Sequence, residues 1–384
     1  MLNPPYWCDM RYIDEFRNGT IAFNLSRKIA GLVSVRDAIT IMEVCGSHTM
    51  NIYRYGLKKL LPSNIKLLSG PGCPVCVTPT SYIDTAIAIS QKFSHEALIT
   101  TFGDLFRAPG STSSLEMEKA RGASVIVVYS ALDALEIAKR QAEKMVVFLG
   151  IGFETTTPTI AASVIEAERL GLKNYCVLTS HKVMPPVMDA LLRDKELNID
   201  GFLCPAHVST IIGSRPYEFI VSDFRIPCVI AGFEPLDIMQ GLYMLLEQIV
   251  KKEASVQIEY SRVAKREGNP TALTLLGKVF EPCDVEWRGL GLIPGSGLKL
   301  RDRYARFDAR AVFRTSDFGF ETNSATRNQQ SAISGCICGD ILRGVKLPAD
   351  CKLFGKVCNP EHPVGACMVS SEGTCAAWYK YGEN

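Results

Sequence analysis

Between about residues 38 and 253 of this 384-residue chain one pattern recurs. A short apolar run rich in β-branched residues ends in a Gly-, Pro- or Thr-rich loop, and a helical segment follows. Runs that are apolar at nearly every position suit strands buried on both faces, as in parallel sheets. Their alternation with helices requires crossover connections and an α/β architecture. The pattern predicts strands at 39–45, 65–70, 97–103, 124–130, 145–153, 175–180, 201–206 and 227–233. Helices fit at 49–61, 82–92, 114–121, 131–144, 159–170, 186–195 and 235–253.

So many strands exceed one mononucleotide-binding half. The word Gly152-Phe153-Glu154 returns as Gly232-Phe233-Glu234, each time after an apolar run and before a helix. This suggests two related parallel-sheet α/β lobes, although a three-residue word also recurs by coincidence. The expected division is lobe I over 36–145, lobe II over 146–253, and a third unit over 254–384, with 1–35 possibly joining it. After residue 253 the character changes. QIEYSRV could be a strand, NPTALTLLGKVF looks helical, and a Gly-rich GLGLIPGSGLKL and a charged RDRYARFDAR follow. Residues 336–384 hold six of the 14 cysteines, a density that suits a small unit stapled by metal or disulfides.

Composition narrows the function. Lys plus Arg is 42 and Asp plus Glu is 40, a net charge of +2 and no basic footprint for nucleic acid. No apolar run approaches the roughly 18 residues of a membrane span. The first residues lack the apolar core of a signal peptide, so a cytoplasmic location is expected. The cysteines are too sparse for a secreted disulfide scaffold, and in a cytoplasmic chain clustered thiols point to metal or redox chemistry.

Three constellations carry that chemistry. Cys45-Gly46-Ser47-His48-Thr49 lies where a strand gives way to a helix, the edge at which open α/β sheets bind ligands. A helix N-terminus there would favour the Cys45 thiolate. His48 could be a ligand, a base or a donor. The plainer alternative is a buried strand-end cysteine with Ser47 or Thr49 as a helix cap. Gly70-Pro71-Gly72-Cys73-Pro74-Val75-Cys76 places two thiols at a redox-dithiol spacing, or at half of a zinc site. The third set is Cys336, Cys338, Cys351, Cys358, Cys367 and Cys375. Its long gaps suit an iron–sulfur cluster held from scattered loops better than paired zinc knuckles. Six thiols exceed one cluster's need, and spacing alone does not choose the four. Two of them could form a disulfide beside the cluster.

Phe102-Gly103-Asp104, the Thr-rich turn after Glu154, Ser180-His181 and Cys204-Pro205-Ala206-His207 also fall at predicted strand ends. Gly289-Leu290-Gly291 and Gly295-Ser296-Gly297 lack the strand and helix context of a dinucleotide fingerprint. Cys8, Cys176, Cys228 and Cys283 read as single packing cysteines.

VCGSHT, GPGCPVC, FGDLFR, GFETTTPT, CPAHVSTIIG, AGFEP, LGLIPGSGL and GACMVSSEGTCAAWY resemble, in order and over nearly the whole chain, the HypD family of hydrogenase maturation proteins. The resemblance implies a two-lobed α/β body with a C-terminal iron–sulfur domain. The family's C-x14-C-x6-C-x16-C spacing falls on Cys336, Cys351, Cys358 and Cys375, which would hold a [4Fe–4S] cluster. Cys338 and Cys367 then match its redox-active pair. It also implies partnership with a HypC-type chaperone and a HypE-type cyanide donor. The iron of the Fe(CN)2CO group of [NiFe] hydrogenase would be held at Cys45.

His48 could ligate that iron or hydrogen-bond a bound cyanide. Cys73 and Cys76 could exchange electrons nearby. Glu372 would be a proton or hydrogen-bond partner, or simply a solvated loop acid. The resemblance implies a redox-active assembly scaffold rather than a conventional turnover enzyme. The alternatives are a cluster-dependent thiol–disulfide oxidoreductase acting on a protein substrate, and a binding module with structural zinc.

Overall fold

The computed structural model describes residues 14–33, 38–319 and 335–382. Cys8 lies outside them, as does the rest of the segment before Asp14. All eight predicted strands form: β1 (Ile39–Glu43), β2 (Ile65–Ser69), β3 (Ala97–Thr101), β4 (Val125–Val127), β5 (Met145–Gly152), β6 (Tyr175–Lys182), β7 (Gly201–Pro205) and β8 (Cys228–Ala231). QIEYSRV contributes the short β9 (Val256–Ile258). β10 (Phe280–Trp287) and β11 (Gly291–Leu300) form an antiparallel hairpin. The Gly-rich stretch thus contains a long strand. A methyl at Gly297 would overlap the Val285 side chain across the hairpin, so glycine there permits close pairing rather than marking a loop.

Two sheets result, with orders β2-β1-β7-β8-β9 and β10-β11-β6-β5-β3-β4. The first is parallel throughout, and the second is parallel except for the hairpin. The sheets therefore divide the strands differently from a boundary at 145/146. The chain leaves the first sheet after β2, builds β3 to β6, returns for β7 to β9, and leaves again for the hairpin. Apolar patterning marks a strand as buried on both sides but does not name its neighbours, and β1 leaves an edge that β7 takes.

Both sheets have a point where strand order reverses, between β1 and β7 in the first and between β3 and β5 in the second. The crevice beyond the strand ends at such a point is where α/β sheets take ligands.

Helices Gly19–Val33 and Pro235–Lys251 pack together on the outer face of the first sheet, so the N-terminal helix belongs to that lobe. Where a helix was expected over 49–61, one runs over Gly46–Arg54 and a 3-10 turn over Leu57–Leu60. Gly56, at φ +62°, breaks the path between them. Residues 335–382 are mostly turns with short helices. Leu342, Cys358, Met368 and Cys375 belong to the same core as Met42, Val44, Leu68 and Ile151. The C-terminal segment thus shares the body's core. No helix among the described residues is long and apolar enough to cross a membrane.

Candidate functional site

Cys45 lies two residues past the end of β1, at the reversal point of the first sheet, and is the N-cap of helix Gly46–Arg54. Its backbone is tightly held. The Cys45 N–H donates to Glu43 Oε2 at 3.1 Å, and the Gly46 N–H to the Gly72 carbonyl at 3.2 Å. A side chain on Gly72 would overlap the Cys45 backbone, which brings the loop after β2 against the Cys45 turn. Glu43 is the acid that patterning passed over. It is buried at the end of β1, accepts from Thr49 Oγ1, and burial lifts its carboxyl to about 8. The signal was present: a lone acid inside an apolar strand requires a partner.

The expected activation of the Cys45 thiol by the helix end is outweighed. The Ser47 and His48 N–H groups favour the thiolate, but burial, Glu372 and Glu43 outweigh them and push the thiol up to about 12. Desolvation of a charge near carboxylates exceeds what one helix N-terminus supplies. Cys45 keeps its proton at neutral pH until something replaces it.

His48 is wholly buried, and burial lowers it to about 4. Its Nε2–H donates to the Ala231 and Gly232 carbonyls at 3.0 and 2.9 Å, and its Nδ1 has no partner. The neutral ring therefore offers a lone pair at Nδ1 and no further N–H. His207, beyond β7, reaches the same region through Phe233, which lies 4.8 Å from the His48 ring and 4.0 Å from the His207 ring.

Cys73 and Cys76 are joined as a disulfide, with Cα atoms 5.3 Å apart, and both are buried. Cys76 Sγ lies 4.0 Å from the Ala366 carbonyl, in the short turn that carries Cys367. A second contact joins the C-terminal segment to Cys45. Ser47 Oγ donates to Glu372 Oε1 at 2.6 Å, and a methyl on Gly46 would overlap the Glu372 backbone. Glu372 is half-buried, and burial and Asp104 raise its carboxyl. It faces the first motif rather than open solvent. Arg107 Nη2 donates to Pro360 O at 2.7 Å and ties the second sheet's edge to the same segment.

Cys336, Cys338, Cys351, Cys358, Cys367 and Cys375 line one small pocket with Ile341, Leu353, Phe354 and Met368. None of the six is disulfide-bonded. Burial raises Cys375, and Cys336, Cys358 and Cys351 add to it. Cys336 is raised first by its hydrogen bond with Cys338. Among the described residues no group of three or more His, Cys, Asp or Glu is placed so that it could hold a metal ion. The donor chemistry nonetheless fits a soft-metal cluster: thiols crowded into an apolar pocket repel one another as thiolates, and iron would relieve that repulsion. The remaining cysteines are packing residues in part. Cys176 is buried alone in β6, Cys228 contacts Cys204 of the neighbouring strand, and Cys283 is half-buried beside Lys182.

The HypD family, described as "Hydrogenase formation hypA family", matches residues 20–382. One hydrogenase maturation factor HypD of Bradyrhizobium diazoefficiens is 47% identical, with 97% of each chain covered. That of Rhizobium leguminosarum bv. viciae is 46% identical, over 97% of this chain and 96% of its own. That of Azotobacter vinelandii is 45% identical over 97% of each. With thiol motifs, fold and relatives in agreement along nearly its whole length, the chain belongs to the HypD family of hydrogenase maturation factors.

Proposed function

We propose that this maturation factor is the scaffold on which the Fe(CN)2CO group of [NiFe] hydrogenase is built. It would act with a HypC-type chaperone and receive cyanide from a HypE-type donor. The observation that carries this reading is a junction: the Cys45 turn, the Cys73–Cys76 loop and the six-thiol pocket, remote in sequence, are buried against one another.

The iron is cargo. Cys45 supplies a soft thiolate, releasing its proton as the metal binds. Glu43 fixes the Cys45 backbone, and His48 offers Nδ1 as a second donor. Ser47 and Glu372 lock the C-terminal segment over the motif. Cys336, Cys351, Cys358 and Cys375 would hold a [4Fe–4S] cluster, which supplies single electrons when bound. The pairs Cys73/Cys76 and Cys338/Cys367 store two electrons each: opening a disulfide breaks one S–S bond and leaves two thiols or thiolates. A thiol–disulfide oxidoreductase acting on a protein substrate is the second reading. Burial of both Cys73 and Cys76 favours the scaffold, because a protein disulfide has no open path to them.

The test is an infrared spectrum of the protein purified without oxygen together with its small partner. Cyanide and carbonyl stretches are expected, and Cys45→Ala should lose them while keeping the iron–sulfur absorbance. Bands that survive in Cys45→Ala would remove the assignment. A wild-type protein with an intact cluster and no such bands would favour the oxidoreductase. Zinc without iron or acid-labile sulfide would leave only a structural module.

A further inference from the structure

The six-thiol pocket is covered unevenly. Ile341 and Met368 line it from the body's core, and Cys338, Cys358, Cys367 and Cys375 are buried. Cys351 is only part-buried, and so are Leu353 and Phe354 beside it. The Phe354 ring meets the Tyr379 ring at 6.1 Å. Tyr379 is exposed on the last helix, Thr374–Tyr381, so solvent lies one ring away from the pocket wall. The 3-10 turn Pro348–Asp350 packs against the same helix.

Three apolar side chains stand in solvent on these neighbouring segments: Leu347 is 38%, Val357 60% and Tyr379 44% exposed. Exposed lysines accompany them, Lys346, Lys352, Lys356 and Lys380. None of the four has an ion pair among the described residues, whereas Arg343 of the same segment is paired with Asp194, Glu196 and Asp340. Asp350, the one acid within residues 345–358, accepts from the Leu347 N–H at 2.8 Å. Lys58 adds a cation from the first lobe, its Nζ 5.6 Å from the centre of the Trp378 ring. In a chain of net charge +2 this is a local positive field around an apolar centre. An apolar centre with a charged rim is what a protein interface needs, and unpaired charges of one sign steer a partner of the other.

We propose that this face is the docking surface of an acidic one-electron carrier protein that feeds the pocket. This rests on the reading of that pocket as a [4Fe–4S] site and names the source of its electrons. In each encounter one electron leaves the reduced carrier, which is oxidised by one step, and passes to the cluster; no bond forms or breaks. Two encounters match the two electrons that open one disulfide. Three apolar residues make a small patch, and electron-transfer encounters stand at the small end of protein interfaces. A partner that shares an iron with Cys45 needs the crevice of the first sheet instead.

The experiment mixes the full-length, cluster-loaded protein with flavodoxin hydroquinone, an acidic one-electron carrier, without oxygen. Stopped-flow absorbance at the flavodoxin semiquinone band reads the transfer. The second-order rate should fall as salt is raised. Lys346→Glu/Lys380→Glu, each five residues from the nearest cysteine in sequence, should slow it at least ~10-fold at low salt. Reduction by methyl viologen radical, which needs no docking, should be as fast in this variant as in the wild type. If the double variant loses its iron–sulfur absorbance, Lys356→Glu carries the same comparison. A wild-type rate indifferent to salt, or a variant as fast as the wild type, overturns the docking surface. So does a wild type that flavodoxin does not reduce but whose lysines bind phosphatidylserine vesicles or the HypC-type chaperone. A wild-type protein without iron–sulfur absorbance overturns the cluster reading and this inference with it. A cluster that methyl viologen reduces and flavodoxin does not overturns only the inference.

Discussion

At the reversal point of the first sheet the chain places Cys45 after β1 and His207 after β7. At the corresponding point of the second it places Asp104 after β3 and Glu154 after β5. The backbone device is the same, and even the Gly-Phe-Glu word recurs, but the two edges are covered differently. Thiols gather at the first, beneath the C-terminal segment. The second holds Glu154, His181 and Lys182, all buried, and β11 pairs directly with His181 and Lys182. Glu154 accepts from the Met184 N–H at 2.8 Å, whereas its echo Glu234 pairs with Arg17 at 2.6 Å on the surface. Sheet topology decides where a crevice opens. What folds over the crevice decides whether it becomes a site or is sealed as frame.

The sharpest way to break this comparison is to remove one buried sulfur from each lobe. Cys45→Ala should lower hydrogenase maturation at least ~100-fold, beyond what loss of an outer-shell partner usually costs. Cys176→Ala, in β6, removes a sulfur of equal size from a wholly buried position. It should cost about 1–2 kcal/mol of stability and leave maturation and the infrared bands unchanged. Equal losses of maturation in both variants would mean that the first edge is not special.

A smaller effect separates the covers themselves. Gly46→Ala drives a methyl into the Glu372 backbone, which yields only if the C-terminal segment moves. We expect about 1–3 kcal/mol of overpacking and faster hydrogen exchange over residues 366–375, with maturation reduced. Gly150→Ala, in β5, meets the Val177 Cγ1 at 2.7 Å and the His181 ring at 3.3 Å. A side chain can turn aside more cheaply than a backbone can shift. Exchange at residues 366–375 should stay as in the wild type. Unchanged exchange in Gly46→Ala would show that this contact does not dock the segment.

The legible parts were those that local pattern controls. Apolar runs located every strand from β1 to β8, because burial on both faces leaves no other composition. Partnership was not legible, since β1 pairs with β7 across the intervening second sheet. β11 was hidden by glycines whose purpose, clearance for Val285, exists only once the hairpin is paired. The thiols of the site were plain from their clustering. The state of Cys45 was misjudged because helix polarity is readable from sequence and desolvation is not. Ser47, meeting Glu372, is placed only by a contact across nearly the whole chain.

The smallest effect on maturation, and the one that best characterises the sealed edge, is its pH signature. Burial raises the Glu154 carboxyl from 4.5 to about 7. Between those values the folded protein keeps a proton that the unfolded chain has lost, so stability falls as pH rises. Burial lowers the Lys182 ammonium from 10.5 to about 7, with Arg310 reinforcing and Cys283 and Glu286 opposing the shift. Above pH 7 the unfolded chain keeps the proton that the folded protein has lost, so stability rises again. Each group contributes a slope of at most about 1.4 kcal/mol per pH unit. Together they predict a stability minimum near neutrality in urea unfolding. Lys182→Met should reduce the alkaline rise and Glu154→Gln the acid-side fall, to which Glu43 also contributes, with maturation at pH 7 intact in both. Profiles of Glu154→Gln and Lys182→Met parallel to the wild type would place these two groups in contact with water. Loss of maturation in Lys182→Met would make the second edge a working site, and the contrast between the two lobes would then be wrong.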